Sequence, residues 1–184
     1  MKYAAALLGV ALAMTSACRS HIAQLPRYGE VPRFLLTAQD GRTFDSGVLR
    51  GNIWVADFIF TACGAACPRM TSRMREVQQA TRNMPSVRLV SFTVDPARDT
   101  AQRLSLYAKA HHADPQRWYF LTGRRSDLDY LGFDVFKLNH VDETLQHSTR
   151  FVLVDKDSRI RGYYDTNAPD AISKLLADIH ALGA

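Results

Sequence analysis

The chain has 184 residues, of which 47% are hydrophobic and 22% charged, with 10 Gly and 7 Pro. This composition is typical of one globular domain, and it excludes a long disordered tail or a collagen-like repeat. The net charge of +5 comes from 23 Lys and Arg against 18 Asp and Glu, without a basic cluster, so we expect no nucleic-acid partner. Three cysteines are too few to staple a small disulfide-rich domain.

Residues 1–17 predict a secretory signal peptide. Lys2 is followed by an uncharged apolar run too short to span a bilayer, and small residues then precede Cys18. Small residues before a cysteine resemble the bacterial lipobox, which implies cleavage before Cys18 and a lipid on its sulfur. We therefore expect a periplasmic lipoprotein anchored to a membrane. The alternatives are an uncleaved N-terminal anchor and a soluble periplasmic protein with a stray thiol.

Residues 18–32 are predicted to be a linker, and two strand signals follow it. Asp40 and Gly41 form a turn dipeptide flanked by apolar residues, which predicts a β-hairpin over residues 34–44. Residues 53–60 are almost continuously apolar, as in a strand buried on both faces, and only Asp57 interrupts them.

Helices and strands alternate through the rest of the chain. Pro68 suits a first helical turn, and Met70, Met74, Val77 and Thr81 share one stripe of the helix that follows. The further predictions are a strand at 87–94, a helix capped by Asp99 or Thr100 and ending near 111, a strand at 118–121, a helix at 126–131, a hairpin over 151–164, and a helix at 169–182.

This order predicts an α/β domain over residues 33–184. It has a thioredoxin-like fold with an N-terminal β-hairpin. Helices joining parallel strands cover both faces of such a sheet, and chemistry concentrates at the carboxyl ends of the strands. The segment containing Cys63 and Cys67 occupies that position, between a buried strand and a helix that Pro68 helps to start.

Cys63 and Cys67 are the candidate reactive residues. The positive end of a helix stabilises thiolate over thiol, which raises both reactivity and metal affinity. Their spacing allows a disulfide, a redox pair, or two ligands of one metal ion. Met70 and Met74 could add a soft ligand, but their place on an apolar stripe favours core packing.

Two of the six histidines are candidate third ligands. His147 directly precedes the strand predicted to lie beside the cysteine segment, and His140 lies seven residues earlier. The other four, His21, His111, His112 and His180, are expected to be bystanders.

Three segments in order resemble the Sco/SenC family of copper chaperones for cytochrome c oxidase assembly: residues 58–70 (FIFTACGAACPRM), 91–100 (SFTVDPARDT) and 146–155 (QHSTRFVLVD). The resemblance implies a copper site formed by Cys63, Cys67 and His147. It also implies delivery of copper to oxidase subunit II, or reduction of that subunit's cysteines, beside other periplasmic copper chaperones or thiol reductases. Asp95 and Asp99 match two aspartates of the family.

Two departures from the family bear on copper affinity and partner choice. Gln146 stands where the family often has Asp, and residues 64–66 lack its usual Pro and acidic residue.

Two thiolates and an imidazole suit Cu(I), and Cu(II) with a weak fourth ligand, while zinc also accepts such a set.

Three functions remain open from the sequence. The first is a copper metallochaperone, which is not an enzyme. The second is a periplasmic thiol:disulfide oxidoreductase, in which Cys63 and Cys67 are the catalytic pair. The third, a peroxiredoxin-like peroxidase, is the least favoured, because the Pro of the peroxidase pattern is absent.

Overall fold

The structure is a computed structural model that describes residues 25–62 and 66–183, with only the backbone of Ala66 and Cys67. Its elements in chain order are β1 (Gly29–Glu30), β2 (Leu35–Ala38), β3 (Thr43–Asp45), β4 (Ile53–Ile59), α1 (Ala66–Ala80), β5 (Val87–Thr93), α2 (Ala101–Ala110), β6 (Trp118–Thr122), α3 (Arg125–Asp129), β7 (Arg150–Val154), β8 (Arg159–Asp165) and α4 (Ala171–Gly183). A 3-10 helix (Ser46–Leu49) precedes β4, and a π-helix (Tyr130–Val135) continues α3.

The strands form one sheet in the order β1-β8-β7-β4-β5-β6-β2-β3. The central strands β4, β5 and β6 are parallel, and β7 pairs antiparallel with β4. The predicted hairpin is β2–β3, which extends the sheet beyond β6, and its turn contains Gly41 at a φ of +82°. Because only the pairings among β4, β5 and β6 are parallel, their carboxyl ends define one edge of the sheet.

The sheet extends into the predicted linker. Gly29–Glu30 pairs antiparallel with Arg159–Ile160, and Val31 N–H donates to the Ser158 carbonyl over 2.8 Å. The Arg161 guanidinium also donates to the carbonyls of Leu25 and Pro26. Residues 25–32 therefore belong to the folded part of the chain, although they lie before the predicted domain start at residue 33.

Two apolar layers cover the faces of the sheet, because successive strand residues point to opposite sides. Ile53, Val55 and Ile59 of β4 pack with α1 and α4, while Trp54, Ala56 and Phe58 pack with aromatic residues on the other face. Aromatic contacts such as Phe58–Phe92, at a centroid distance of 5.1 Å, fill that second layer. The continuous apolar run of β4 is thus explained by burial on both faces.

The first layer contains the predicted helix stripe. Met70, Met74 and Val77 are at most 1% exposed and belong to the core beneath α1. Core packing of the two methionines is therefore what the structure shows. Leu106 of α2 differs from its apolar neighbours, since it is 62% exposed.

Among the described residues, no helix is both long and apolar enough to cross a bilayer. The predicted signal peptide (residues 1–17), Cys18 and His21 lie outside the described residues.

Candidate functional site

The candidate site lies at the end of β4, where the chain leaves the sheet. Phe60, Thr61 and Ala62 follow the last strand residue, and α1 starts at Ala66. Cys63 lies outside the described residues. The backbone of Cys67 is the second residue of α1, so Pro68 falls in the first turn, as its missing N–H and fixed φ predict. The backbone of Cys67 therefore lies at the positive end of the α1 dipole.

A buried carboxylate, that of Asp99, holds Thr61, which follows β4. Asp99, which is fully buried, accepts hydrogen bonds from the backbone N–H of Thr61 over 3.1 Å and from its hydroxyl over 2.5 Å. The hydroxyl of Thr93, at the end of β5, donates to the same carboxylate over 2.6 Å. Asp99 thereby joins the ends of two neighbouring parallel strands. Asp95, its neighbour in the motif, instead accepts from Arg98 at 3.2 Å.

His147 lies beside the exit of β4. The pairing of β7 with β4 sets Ala56 opposite Val152, so residues just before β7 lie beyond the end of β4. The rings of His147 and Phe60 meet edge to face at a centroid distance of 5.7 Å. His147 is therefore in contact with Phe60, three residues before Cys63, although the two are far apart in the chain.

The ring orientation of His147 favours one nitrogen as a ligand. Its Nδ1 lies 3.1 Å from the Ser148 carbonyl oxygen. A carbonyl oxygen can only accept, so Nδ1 is the donor in this contact. An imidazole whose Nδ1 is bonded in this way is oriented for binding a metal ion through Nε2.

His140 has a different environment. Its Nδ1 lies 3.0 Å from a carboxylate oxygen of Asp129, and its ring stacks on Phe133 at a centroid distance of 3.7 Å. It lines the same polar cleft of about 550 Å³ as His147 and Gln146. Asp129 ends α3 and Phe133 lies in the π-helix, so the ring of His140 is held against those elements. The ring of His147 instead contacts Phe60 at the end of β4.

The remaining described histidines lie just after α2 or within α4. His111 caps the end of α2, where its ring packs on Tyr107 at 4.4 Å and burial lowers its pKa. His112 follows it in the chain, and His180 lies in α4, where its Nδ1 contacts the Leu176 carbonyl.

Sequence reasoning missed the support behind His147. The Asn139 side chain accepts from the N–H of Ser148 over 3.2 Å, and Asn139 N–H donates to the Gly132 carbonyl over 3.4 Å. Gly132 lies in the π-helix, and a Cβ there would stand 2.6 Å from the Asn139 carbonyl oxygen. In the sequence the sole signal is a glycine directly after the short helix predicted at 126–131.

Among the described side chains, no three of His, Cys, Asp and Glu converge closely enough to hold a metal ion.

Three features together define a thioredoxin-like α/β protein. Helices cover both faces of the sheet, a cysteine lies at the start of a helix, and a histidine lies beside the strand that precedes this helix. A family model described as SCO1/SenC matches residues 23–183. The chain therefore belongs to the SCO1/SenC family, as its three sequence segments predicted.

Individual relatives agree with this assignment. The structure of a SCO1/SenC family lipoprotein from Bacillus anthracis str. Ames is similar, with a TM-score of 0.77 and 30% identity, covering 85% of this chain and 96% of that one. BsSco, described as a member of the Sco family of cytochrome c oxidase assembly proteins, gives a TM-score of 0.74 and 29% identity over 88% and 96% of the two chains. A Stutzerimonas stutzeri protein whose name refers to copper binding is 30% identical over 172 residues, which is 88% of this chain and 82% of the relative.

Proposed function

We propose that this protein binds copper through Cys63, Cys67 and His147 and supplies it to the binuclear copper centre of cytochrome c oxidase subunit II. The observation that carries the proposal is the contact between His147 and Phe60, three residues before Cys63. Cys67 is the second residue of α1, the helix that follows β4 in the chain. The position of His147 beside the last described residues before Cys63 supports a site at the end of β4.

The chemistry of the three donors fits copper. Two thiolates and one imidazole are soft enough for Cu(I) in trigonal geometry, and they accept Cu(II) when a weak fourth ligand is added. The helix N-terminus favours the thiolate form of the cysteines that a metal ion requires. Zinc tolerates the same donors, but copper binds such sites more strongly in the Irving–Williams order.

Relatives support both parts of the proposal. BsSco is described as one of the cytochrome c oxidase assembly proteins, and the Stutzerimonas stutzeri relative has a name that refers to copper binding. Similarity of about 30% over most of each chain makes the same copper role the simplest assignment here.

We further propose that the protein works in the bacterial periplasm, tethered to a membrane through a lipid on Cys18. The Bacillus anthracis relative is described as a lipoprotein, and the sequence before Cys18 resembles a lipobox. A tether would keep the domain near a membrane-bound oxidase and raise its effective concentration there. Other copper chaperones or thiol reductases of the periplasm would load or reduce it.

An anaerobic copper titration of the full chain in detergent tests the proposal. We expect one tightly bound copper per chain and, for Cu(II), a sulfur-to-copper charge-transfer band in the visible spectrum. His147→Ala and Cys63→Ser should each abolish that band. His140→Ala is the matched control, because it removes the other histidine of the same cleft, and it should leave the band unchanged.

The same experiment separates the alternatives. Weak copper binding that is indifferent to His147→Ala, together with a readily reduced Cys63–Cys67 disulfide, would contradict the copper proposal and favour a thiol:disulfide oxidoreductase. Since two sulfurs joined in a disulfide cannot act as thiolate ligands, copper loading should also slow alkylation of the two cysteines. An unchanged alkylation rate would contradict binding through sulfur.

A further inference from the structure

We propose that Asp99 is a positioning residue for Cys63, which acts by fixing the backbone two residues before that cysteine. This inference rests on the proposed copper site and adds a residue outside the set of predicted ligands. It follows from three hydrogen bonds that converge on one fully buried carboxylate.

The hydrogen bonds hold Thr61 by both its backbone and its side chain. The Thr61 N–H donates to Oδ2 of Asp99 over 3.1 Å, and the Thr61 hydroxyl donates to Oδ1 over 2.5 Å. Two bonds to different atoms of one residue fix its orientation as well as its position. Thr61 lies beyond the end of β4, so strand pairing does not hold it, and the Asp99 carboxylate holds it instead.

Asp99 is itself held firmly. Its N–H donates to the Asp95 carbonyl over 2.8 Å, and the next residue, Thr100, caps α2 by accepting from Arg103 N–H. The Thr93 hydroxyl accepts from Asp95 N–H over 2.9 Å, so its single proton is the one donated to Asp99. The anchor of the cysteine segment thus extends into β5 and α2.

The arrangement requires a carboxylate. Three protons point at two oxygens, and both oxygens act as acceptors. An asparagine has only one acceptor oxygen, and its amide group would direct protons against a donor. Hydrogen bonds to a charged acceptor are stronger than those between neutral groups, and leaving a buried donor without a partner is costly.

A fixed Thr61 would lower the cost of bringing Cys63 to a metal ion or to Cys67. Groups hydrogen-bonded directly to a metal ligand typically change metal affinity 10- to 100-fold when they are replaced. Asp99 acts one step further away, through Thr61, so a smaller change is expected. The expected consequence of losing this anchor is therefore weaker copper binding, and a smaller equilibrium constant for closing the Cys63–Cys67 disulfide.

The test compares four variants of the full chain in detergent. Thr61→Val removes one hydroxyl at nearly constant volume, and Asp99→Asn removes one acceptor. Thr61→Ser keeps the hydroxyl and is the conservative rescue. Asp155→Asn is the matched control, because Asp155 is 7% exposed and accepts from Asp157, Arg159 and Arg161 in the β7–β8 turn, at the opposite end of the sheet.

Two readouts are needed. Cu(I) affinity is measured by competition with a colorimetric chelator. The disulfide equilibrium is measured without metal against dithiothreitol, whose two thiols are oxidised to its cyclic disulfide as the protein disulfide is reduced to two thiols. We expect Thr61→Val and Asp99→Asn to lower Cu(I) affinity by up to about tenfold and to disfavour the protein disulfide several-fold. Thr61→Ser and Asp155→Asn should match the wild type in both.

The outcomes separate this inference from the copper proposal. If the wild type binds no copper, the copper proposal fails, while the dithiothreitol equilibrium still decides the role of Asp99. If Thr61→Val and Asp99→Asn reduce only stability toward urea and leave both readouts at wild-type values, the positioning role is overturned. Should Asp99→Asn fail to fold, the contrast between Thr61→Val and Thr61→Ser decides.

Discussion

Replacing Asp57 with Asn should make the fold more stable at neutral and alkaline pH. Asp57 lies in the middle of β4, is 0% exposed, and alternates onto the face that α1 and α4 cover. Neither of its carboxyl oxygens forms a hydrogen bond within the described part of the chain. Burial raises the pKa of Asp57 from its ordinary 3.8 to about 7, although the hydroxyl of Ser91 on the paired strand opposes this change.

The magnitude follows from the linkage between protonation and folding. Because the folded-state pKa lies above the unfolded one, the neutral carboxyl is favoured by folding and the charged form is penalised. The penalty is absent below pH 3.8, grows as the pH rises toward 7 and is constant above it. At about 1.4 kcal/mol per pH unit, it reaches roughly 4 kcal/mol at pH 8.

Urea unfolding of reduced wild type and Asp57→Asn at pH 5, 6, 7 and 8 measures this effect. Other titrating groups are common to both proteins, so the difference in unfolding free energy isolates Asp57. The buried amide has a cost of its own that does not vary with pH, and the difference should therefore grow by roughly 2 to 3 kcal/mol from pH 5 to pH 8. Asp134→Asn, which removes an exposed carboxyl, controls for the loss of one charge. A difference that stays constant with pH would refute the argument.

Three further changes test packing and charge pairing within the fold by urea unfolding. Gly132→Ala should destabilise the fold by about 1 to 3 kcal/mol, because the new Cβ would meet the Asn139 carbonyl oxygen at 2.6 Å; wild-type stability would contradict the rigidity of the π-helix. Arg161→Met should cost about 3 to 5 kcal/mol, since it leaves the buried Asp155 carboxylate without its cation at 2.9 Å, and a neutral effect would mean that the pair is dispensable. Met74→Ala should cost about 2 to 5 kcal/mol while leaving copper affinity unchanged, whereas a loss of affinity would point to a role for its sulfur.

The sequence was sufficient for features that depend on local periodicity or on one special residue. The apolar run of β4, the Asp40-Gly41 turn and the Pro68 helix start each follow from residues adjacent in the chain, and all three are present. The α/β class followed from the order of these elements.

Features that depend on distant partners could not be predicted. Gly29–Glu30 has no strand periodicity, and it becomes β1 because β8 offers an unpaired edge. The hydrogen bonds from Thr61 to Asp99 join residues 38 positions apart, so neither residue alone indicates them. The support of His147 by Asn139 arises in the same way, through a loop whose path no local pattern specifies.

The two halves of the proposed site are held by different parts of the fold. His147 takes its place from the register of β7 on β4, and a slip of one residue would turn every β7 side chain to the opposite face. On the side of the cysteines, Thr61 is held by Asp99 rather than by strand pairing. A change in the Asp99 network should therefore alter cysteine geometry while the histidine stays in place. Loss of His147 should weaken copper binding without changing the metal-free disulfide equilibrium, so the two halves can be perturbed separately.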